Sequence, residues 1–221
     1  MKPLMTRTED GSTLQDLGRA SIQIVHDLKN QLNGLKLYAT FLRRRIEKNE
    51  RPEDEQETIQ KLIAGLDRAA SDLATIVQYG REIELKKQSG FDLHKVIRAV
   101  CSTFTDNSQV ICDSDQDPLQ GNVDPTKLTD AFKWISAVAI KHRPIDKEDG
   151  SITVSVKRDT AETDIAQIEW FGMAPLDHDP FRSFVGSDEI RMSLAAKIVE
   201  AHGGSAKFQG DRFLVTLPLS T

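Results

Sequence analysis

Along most of the first ninety residues, apolar or small side chains recur every three or four positions, and nothing else constrains the chain as tightly. Leu14, Leu17, Ser21, Ile24, Leu28, Leu32, Leu35, Ala39, Leu42 and Ile46 mark one face of an α-helix. Ser12-Thr13-Leu14-Gln15 has the form of a capping box at its start. Arg43, Arg44 and Arg45 fall near its end, where cations meet the negative pole of the helix dipole. Asn49 to Asp54, with Pro52, reads as a turn, and a second helix starts near Glu53 with an acidic first turn. Its stripe is Ile59, Leu62, Leu66, Ala69, Leu73, Ile76, Gly80 and Ile83. Helices of roughly 35 and 30 residues make a hairpin about 45–50 Å long. A lone hairpin cannot cover its own apolar stripe, so the expected solution is a four-helix bundle built by homodimerisation.

The period and the charge both change near Gly80 to Gly90. Residues 1–90 carry 15 Lys and Arg against 14 Asp and Glu, whereas residues 91–221 carry 14 against 20. We therefore expect a helical domain over 1–88 and a second domain over 89–221. In the latter, Phe91 to Thr105 reads as a strand start and a helix, and Val110-Ile111-Cys112 as a strand. Asp124-Pro125 caps a helix over Thr126 to His142, with Pro in its favoured first turn. Ser151 to Arg158 alternates as a strand, with Asp164 to Phe171 as its partner. Asp188 to His202 is a helix stopped by Gly203-Gly204, and Phe208 and Phe213 to Leu219 mark two closing strands. The fold class is α+β: a helical hairpin followed by a mixed sheet with helices on one side.

Composition excludes several functions. A net charge of −5 argues against a nucleic-acid partner. The longest aliphatic run, Ala137 to Ile140, is too short for a membrane span, and MKPLMTRTED lacks the apolar stretch of a secretory signal. Cys101 and Cys112 show no CxxC or Cys/His pairing, which points to the reducing cytoplasm. Both are expected to be buried small hydrophobes, and Phe181 and Phe184 core aromatics. Asp177-His178-Asp179 reads as a solvated turn, and His94, His142 and His202 lack a carboxylate arrangement that suggests catalysis.

One histidine stands apart. His26 lies off the apolar stripe, in a row with Ile22, Asn30 and Asn33, and Asp27 adjoins it. A carboxylate beside an exposed imidazole can hold one tautomer and leave the other nitrogen nucleophilic. Asn30, one turn on, can hydrogen-bond a phosphoryl oxygen or a water. His26-Asp27-Leu28-Lys29-Asn30-Gln31-Leu32 resembles the H-box of two-component histidine kinases, in which His, an acidic residue and a downstream Asn or Thr recur in that order. Gln31 stands where many members have Pro, and makes an Asp-x-x-x-Gln spacing seen in another branch.

Residues 91–221 resemble the ATP-binding catalytic domain of the same family. Phe91-Asp92-Leu93 matches its opening, Val123 to Leu128 the approach to its nucleotide helix, Leu194 to Gly204 the helix after the glycine box, and Leu214 to Leu219 its last strand. The departures are at the nucleotide site. Trp134 and Val138 stand where active kinases carry two Asn, one of them a Mg²⁺ ligand, and neither offers an oxygen to a hard cation. Trp170-Phe171-Gly172-Met173-Ala174 aligns with the Asp-x-Gly-x-Gly whose carboxylate reads adenine, so an indole replaces that carboxylate. Ser187 to Met192 aligns with the phosphate-cradling glycine box, keeps no glycine, and sets Asp188-Glu189 against a polyphosphate.

The resemblance thus implies a histidine phosphotransferase derived from a sensor kinase. It would relay a phosphoryl group between response-regulator receiver domains through His26 as phosphoacceptor, with Asp27 and Asn30 assisting and Lys29, Gln31 and Asn33 on the receiver-docking face. No cofactor is expected in this chain, since Mg²⁺ would be held by the receiver. The alternatives are a divergent ATP-dependent sensor kinase, a non-catalytic receiver-binding module, and a phosphatase.

Overall fold

A computed structural model describes residues 25, 28–30, 32–44, 53–104, 110–114, 118–144, 151–159, 164–184 and 186–220. The chain divides into two compact units, residues 1–82 and 83–221. The capping box at Ser12 lies outside the described residues.

In the first unit, helix α1 is described over 28–30 and 32–44 and helix α2 spans Glu53–Gly80. An ion pair from the Lys36 ammonium to the Asp67 carboxylate joins the two helices. Ala39, the smallest residue of the α1 stripe, is buried, whereas Leu28, Leu35 and Leu42 of that stripe and Leu62 of α2 remain exposed. The hairpin therefore leaves much of its apolar face open, as its lone geometry requires.

The second unit is built in chain order from β1 (Gln88–Asp92), α3 (Leu93–Ser102), β2 (Val110–Ser114), β3 (Gln120–Val123), α4 (Pro125–Lys141), β4 (Ile152–Arg158), β5 (Ile165–Phe171), a 3-10 turn (Pro180–Arg182), α5 (Ser187–Ala201), β6 (Ser205–Phe208) and β7 (Phe213–Pro218). Strand β3 is one element that the sequence pattern misses. It is four residues long and pairs antiparallel with β1 as a separate ribbon. The main sheet runs β2-β4-β5-β7-β6, with β2 and β4 parallel and the other neighbours antiparallel. Alternation aims Ile152, Val154 and Val156 of β4, Ala166, Ile168 and Trp170 of β5, and Phe213, Val215 and Leu217 of β7 into the core. Leu128, Phe132 and Ile135 of α4 and Leu194, Ile198 and Val199 of α5 complete it. No helix among the described residues is long and apolar enough to cross a membrane.

Asp124 ties several elements together. Its carboxylate accepts from the N–H groups of Thr126 and Lys127, each at 3.1 Å, and so caps α4. It also accepts from the Lys86 N–H at 2.8 Å. Burial pushes the carboxyl upward, but these N–H groups outweigh burial and hold it below the ordinary Asp value. The Asp124 N–H in turn donates to His202 Nε2 at 2.9 Å, while His202 Nδ1 lies 2.8 Å from the Ile198 carbonyl oxygen. His202 is therefore the neutral Nδ1–H tautomer, and it bolts the end of α5 to the start of α4. Sequence spacing gave this histidine no role, because its partner lies 78 residues away.

At the same end of α5, Gly203 sits at φ 82°, its N–H donates to Glu200 O, and the Gly204 N–H donates to Val199 O, which is a Schellman closure. A Cβ on Gly204 would overlap the Thr216 carbonyl oxygen. Gly204→Ala should cost about 3 kcal/mol of stability, since neighbouring backbone must move; thermal unfolding reads this as a clear drop in Tm.

Burial lowers the His202 pKa below the ordinary 6.5, so the unfolded chain takes up its proton first as the pH falls. Its contribution to stability is complete above about pH 6.5 and declines below that value. Urea unfolding between pH 7 and pH 5 should show a steeper loss in wild type than in His202→Gln.

Candidate functional site

The candidate phosphoacceptor His26 is expected on the first helix, and the outer face of the described part of α1 has an unusual composition. His26, Asp27 and Gln31 lie outside the described residues. Asn30 and Asn33 are exposed and Lys29 is half-buried. Asn33, Leu37 and Phe41 follow one another at four-residue spacing, which aligns them along one helix face. Leu37 and Tyr38 are each 69% exposed and Phe41 63%. These three large side chains belong to no part of the sequence-derived stripe. Their signal in the sequence is bulky apolar residues on the polar side of an amphipathic helix, which a search for the 3-4 stripe alone does not register. A continuous apolar strip thus runs along the helix from the asparagines towards its C-terminal end.

In the second unit, the residues aligned by resemblance with a nucleotide site fall on α4, near the end of β5 and at the start of α5. Trp170 closes β5 and is fully buried. Its indole N–H donates to Ser136 Oγ on α4 at 2.8 Å, and its ring packs against Phe132 with centroids 5.4 Å apart. Val138 is buried in the core and Trp134 half-buried. Beyond β5, the Ala174 N–H donates to the His142 carbonyl at 2.7 Å, which ties the following loop to the end of α4.

At the rim, Lys141 Nζ lies 2.6 Å from Asp188 Oδ2, linking the last turn of α4 to the first turn of α5. The hydrogen bond and the charge of Asp188 raise the Lys141 pKa above its ordinary value, so the ammonium persists. Asp188 and Glu189 both occupy the first turn of α5, where backbone N–H groups create a positive pole. His178 Nε2 approaches Glu189 at 3.6 Å. The pole that could receive a phosphate therefore faces the helix's own carboxylates.

One expectation, for Phe184, needs correction. Phe181 is buried against Phe213, as a core aromatic should be, but Phe184 is 52% exposed, because it follows the 3-10 turn on the open side of the loop. His94 does have a carboxylate partner, with Nδ1 2.9 Å from Asp92 Oδ1, yet Asp92 is the cap of α3 and the pair closes that helix start. In the Asp177-His178-Asp179 segment, Asp179 caps the 3-10 turn. No group of three metal-ligating side chains occurs among the described residues.

No family model matches the chain, and no curated protein matches it. Solved structures do. Full-length ShkA in complex with AMPPNP superposes with a TM-score of 0.65 at 16% identity, covering 90% of this chain and 45% of that one. The Acinetobacter baumannii histidine kinase AdeS gives a TM-score of 0.58 at 14% identity, covering 84% of this chain and 96% of that one. The chain thus spans less than half the length of full-length ShkA. Its fold is similar to the helical phosphotransfer and catalytic ATPase domains of histidine kinases.

The Trp170–Ser136 hydrogen bond is a buried polar contact between β5 and α4. Ser136→Ala should leave a buried indole N–H without an acceptor and cost about 1–3 kcal/mol. Adding Trp170→Phe removes the orphaned donor, so the double variant should lose less than the two single losses combined. Chemical denaturation of the four proteins measures the cycle.

Proposed function

We propose that this chain is a histidine phosphotransferase that works without ATP, relaying a phosphoryl group between response-regulator receiver domains through His26. The observation that carries the reading is the occupied cleft. The side chains present do not fit a magnesium nucleotide. The Trp170 indole fills the end of β5 where a carboxylate would read adenine, Trp134 and Val138 supply no oxygen to a cation, and acidic groups line the start of α5. The second unit then acts as a docking surface.

In the proposed transfer, the unprotonated ring nitrogen of His26 attacks the phosphorus of a receiver phosphoaspartate in line with the departing carboxylate. The P–N bond forms as the P–O bond of the acyl phosphate breaks, and the receiver regains its free Asp. Charge spreads over the three equatorial oxygens, so positioning dominates the catalysis. Asp27 orients the ring and takes the proton from its other nitrogen, while Asn30 donates to an equatorial oxygen. Mg²⁺ belongs to the receiver. Lys29, Gln31 and Asn33 flank the contact, and the exposed Leu37, Tyr38 and Phe41 extend it with apolar surface. The open stripe of Leu28, Leu35, Leu42 and Leu62 supports a homodimeric four-helix bundle. Its thiols are unpaired, in keeping with work in the cytoplasm.

The test offers purified protein, on one hand, Mg²⁺ with γ-labelled ATP and, on the other, a labelled phosphorylated receiver. Wild type should gain acid-labile, base-stable label from the receiver alone, and His26→Gln should gain none. Asn30→Ala should slow transfer about tenfold, the worth of one charge-assisted hydrogen bond. Label taken directly from ATP would replace this reading with a kinase. No label from either source, with receiver dephosphorylation unchanged, would leave a binding module; accelerated dephosphorylation would leave a phosphatase.

A further inference from the structure

The second unit brings together the only two cysteines in the sequence. Cys101 lies in the last turn of α3 and is buried. Cys112, expected to be buried as well, is exposed, because it sits at the centre of β2 and β2 is the edge of the main sheet. Val110 is buried, and alternation along the strand turns Cys112 to the same side. Cys112 is also in register with the buried Val154 of β4. Helix α3 packs against both β2 and β4.

The Cys101 and Cys112 thiols are close enough to influence one another's ionisation. The neighbouring Cys101 thiol pulls Cys112 down to about 7; burial opposes it, and the Arg98 guanidinium, one turn before Cys101 on α3, assists. The neighbouring Cys112, followed by burial, pushes Cys101 up. The two thiols differ first in access: Cys112 is exposed and Cys101 is buried. Low-pKa, accessible thiols with a second cysteine alongside are the ones that oxidise reversibly.

We propose that Cys112 and Cys101 form a reversible dithiol site for hydroperoxides, with Cys112 as the attacking sulfur and Cys101 as the resolving one. The Cys112 thiolate attacks the peroxide; an S–O bond forms, the O–O bond breaks, and hydroxide or alkoxide leaves. Cys101 then attacks the sulfenic sulfur. Its proton passes to the departing oxygen, the S–O bond breaks, and water is released as the S–S bond forms. Two thiols lose two electrons in all, and the peroxide is reduced. The product staples the end of α3 to the sheet edge, and an added dithiol reverses it. Neither cysteine belongs to the α1 face or to the filled cleft, so the inference does not rest on the proposed phosphotransfer.

The experiment treats the full chain with hydrogen peroxide. Wild type should lose two hydrogens in intact mass, yield a Cys101–Cys112 linked peptide, stay a single chain on a non-reducing gel, and recover both thiols with dithiothreitol. In Cys101→Ser the reaction should stop at a sulfenic acid that dimedone traps on Cys112. In Cys112→Ser, Cys101 should stay a thiol under the same exposure. Two free thiols in treated wild type, a disulfide joining separate chains, or dimedone on Cys101 instead of Cys112 would each overturn the assignment. The linked peptide is read on wild type, so a variant that fails to fold does not remove the test.

Discussion

The indole of Trp170 is the constraint around which the second unit is arranged. It is the largest fully buried side chain, and its N–H must find an acceptor because a buried unpaired donor costs about 1–3 kcal/mol. Ser136 provides one, which fixes the separation of β5 and α4. Phe132 then packs on the ring, and the loop after β5 returns to the end of α4 through the Ala174–His142 backbone bond. A space that could have remained a crevice is thus part of the core. The same packing underlies the proposal that the unit works without a nucleotide.

The two units solve burial in opposite ways. The second closes its core within one chain, its sheet face covered by α3, α4 and α5, and it satisfies its helix starts with Asp92 and Asp124. The first leaves leucines on one face of α1 and Leu37, Tyr38 and Phe41 on another. Large apolar side chains at such exposure are costly to leave in water, at about 25 cal/mol per Å², so the helix carrying the proposed chemistry is also the one most in need of partners. In the proposed function one face serves a second copy and the other, beside Asn30 and Asn33, a docking receiver.

Charge is arranged to reinforce these roles. Asp188 and Glu189 complement the dipole of α5 locally, and Lys141 holds Asp188 across the rim. At the far end of the same helix, neutral His202 links α5 to the cap of α4. Acidification weakens that bolt, since the added proton would sit on Nε2 and face the Asp124 N–H instead of accepting from it.

Much of this was legible in the residues themselves. Strict 3-4 spacing marks α2, Asp124-Pro125 the start of α4, Gly203-Gly204 the end of α5, and two-residue alternation β4 and β5, because each rests on local backbone geometry. That an indole and not a carboxylate stands at position 170 was equally plain, since a side chain's chemistry is known from its identity. Tertiary structure alone decided what those residues touch. Ser136 is 34 residues from Trp170, Asp188 is 47 from Lys141, and His202 is 78 from Asp124. The short β3 appears only because β1 lies beside it. Cys112 is exposed because its strand is the sheet's edge, a position set by the order of strands and not by its neighbours in sequence. Local spacing fixes which elements form and what chemistry each carries, whereas pairings between distant elements depend on how the whole core closes.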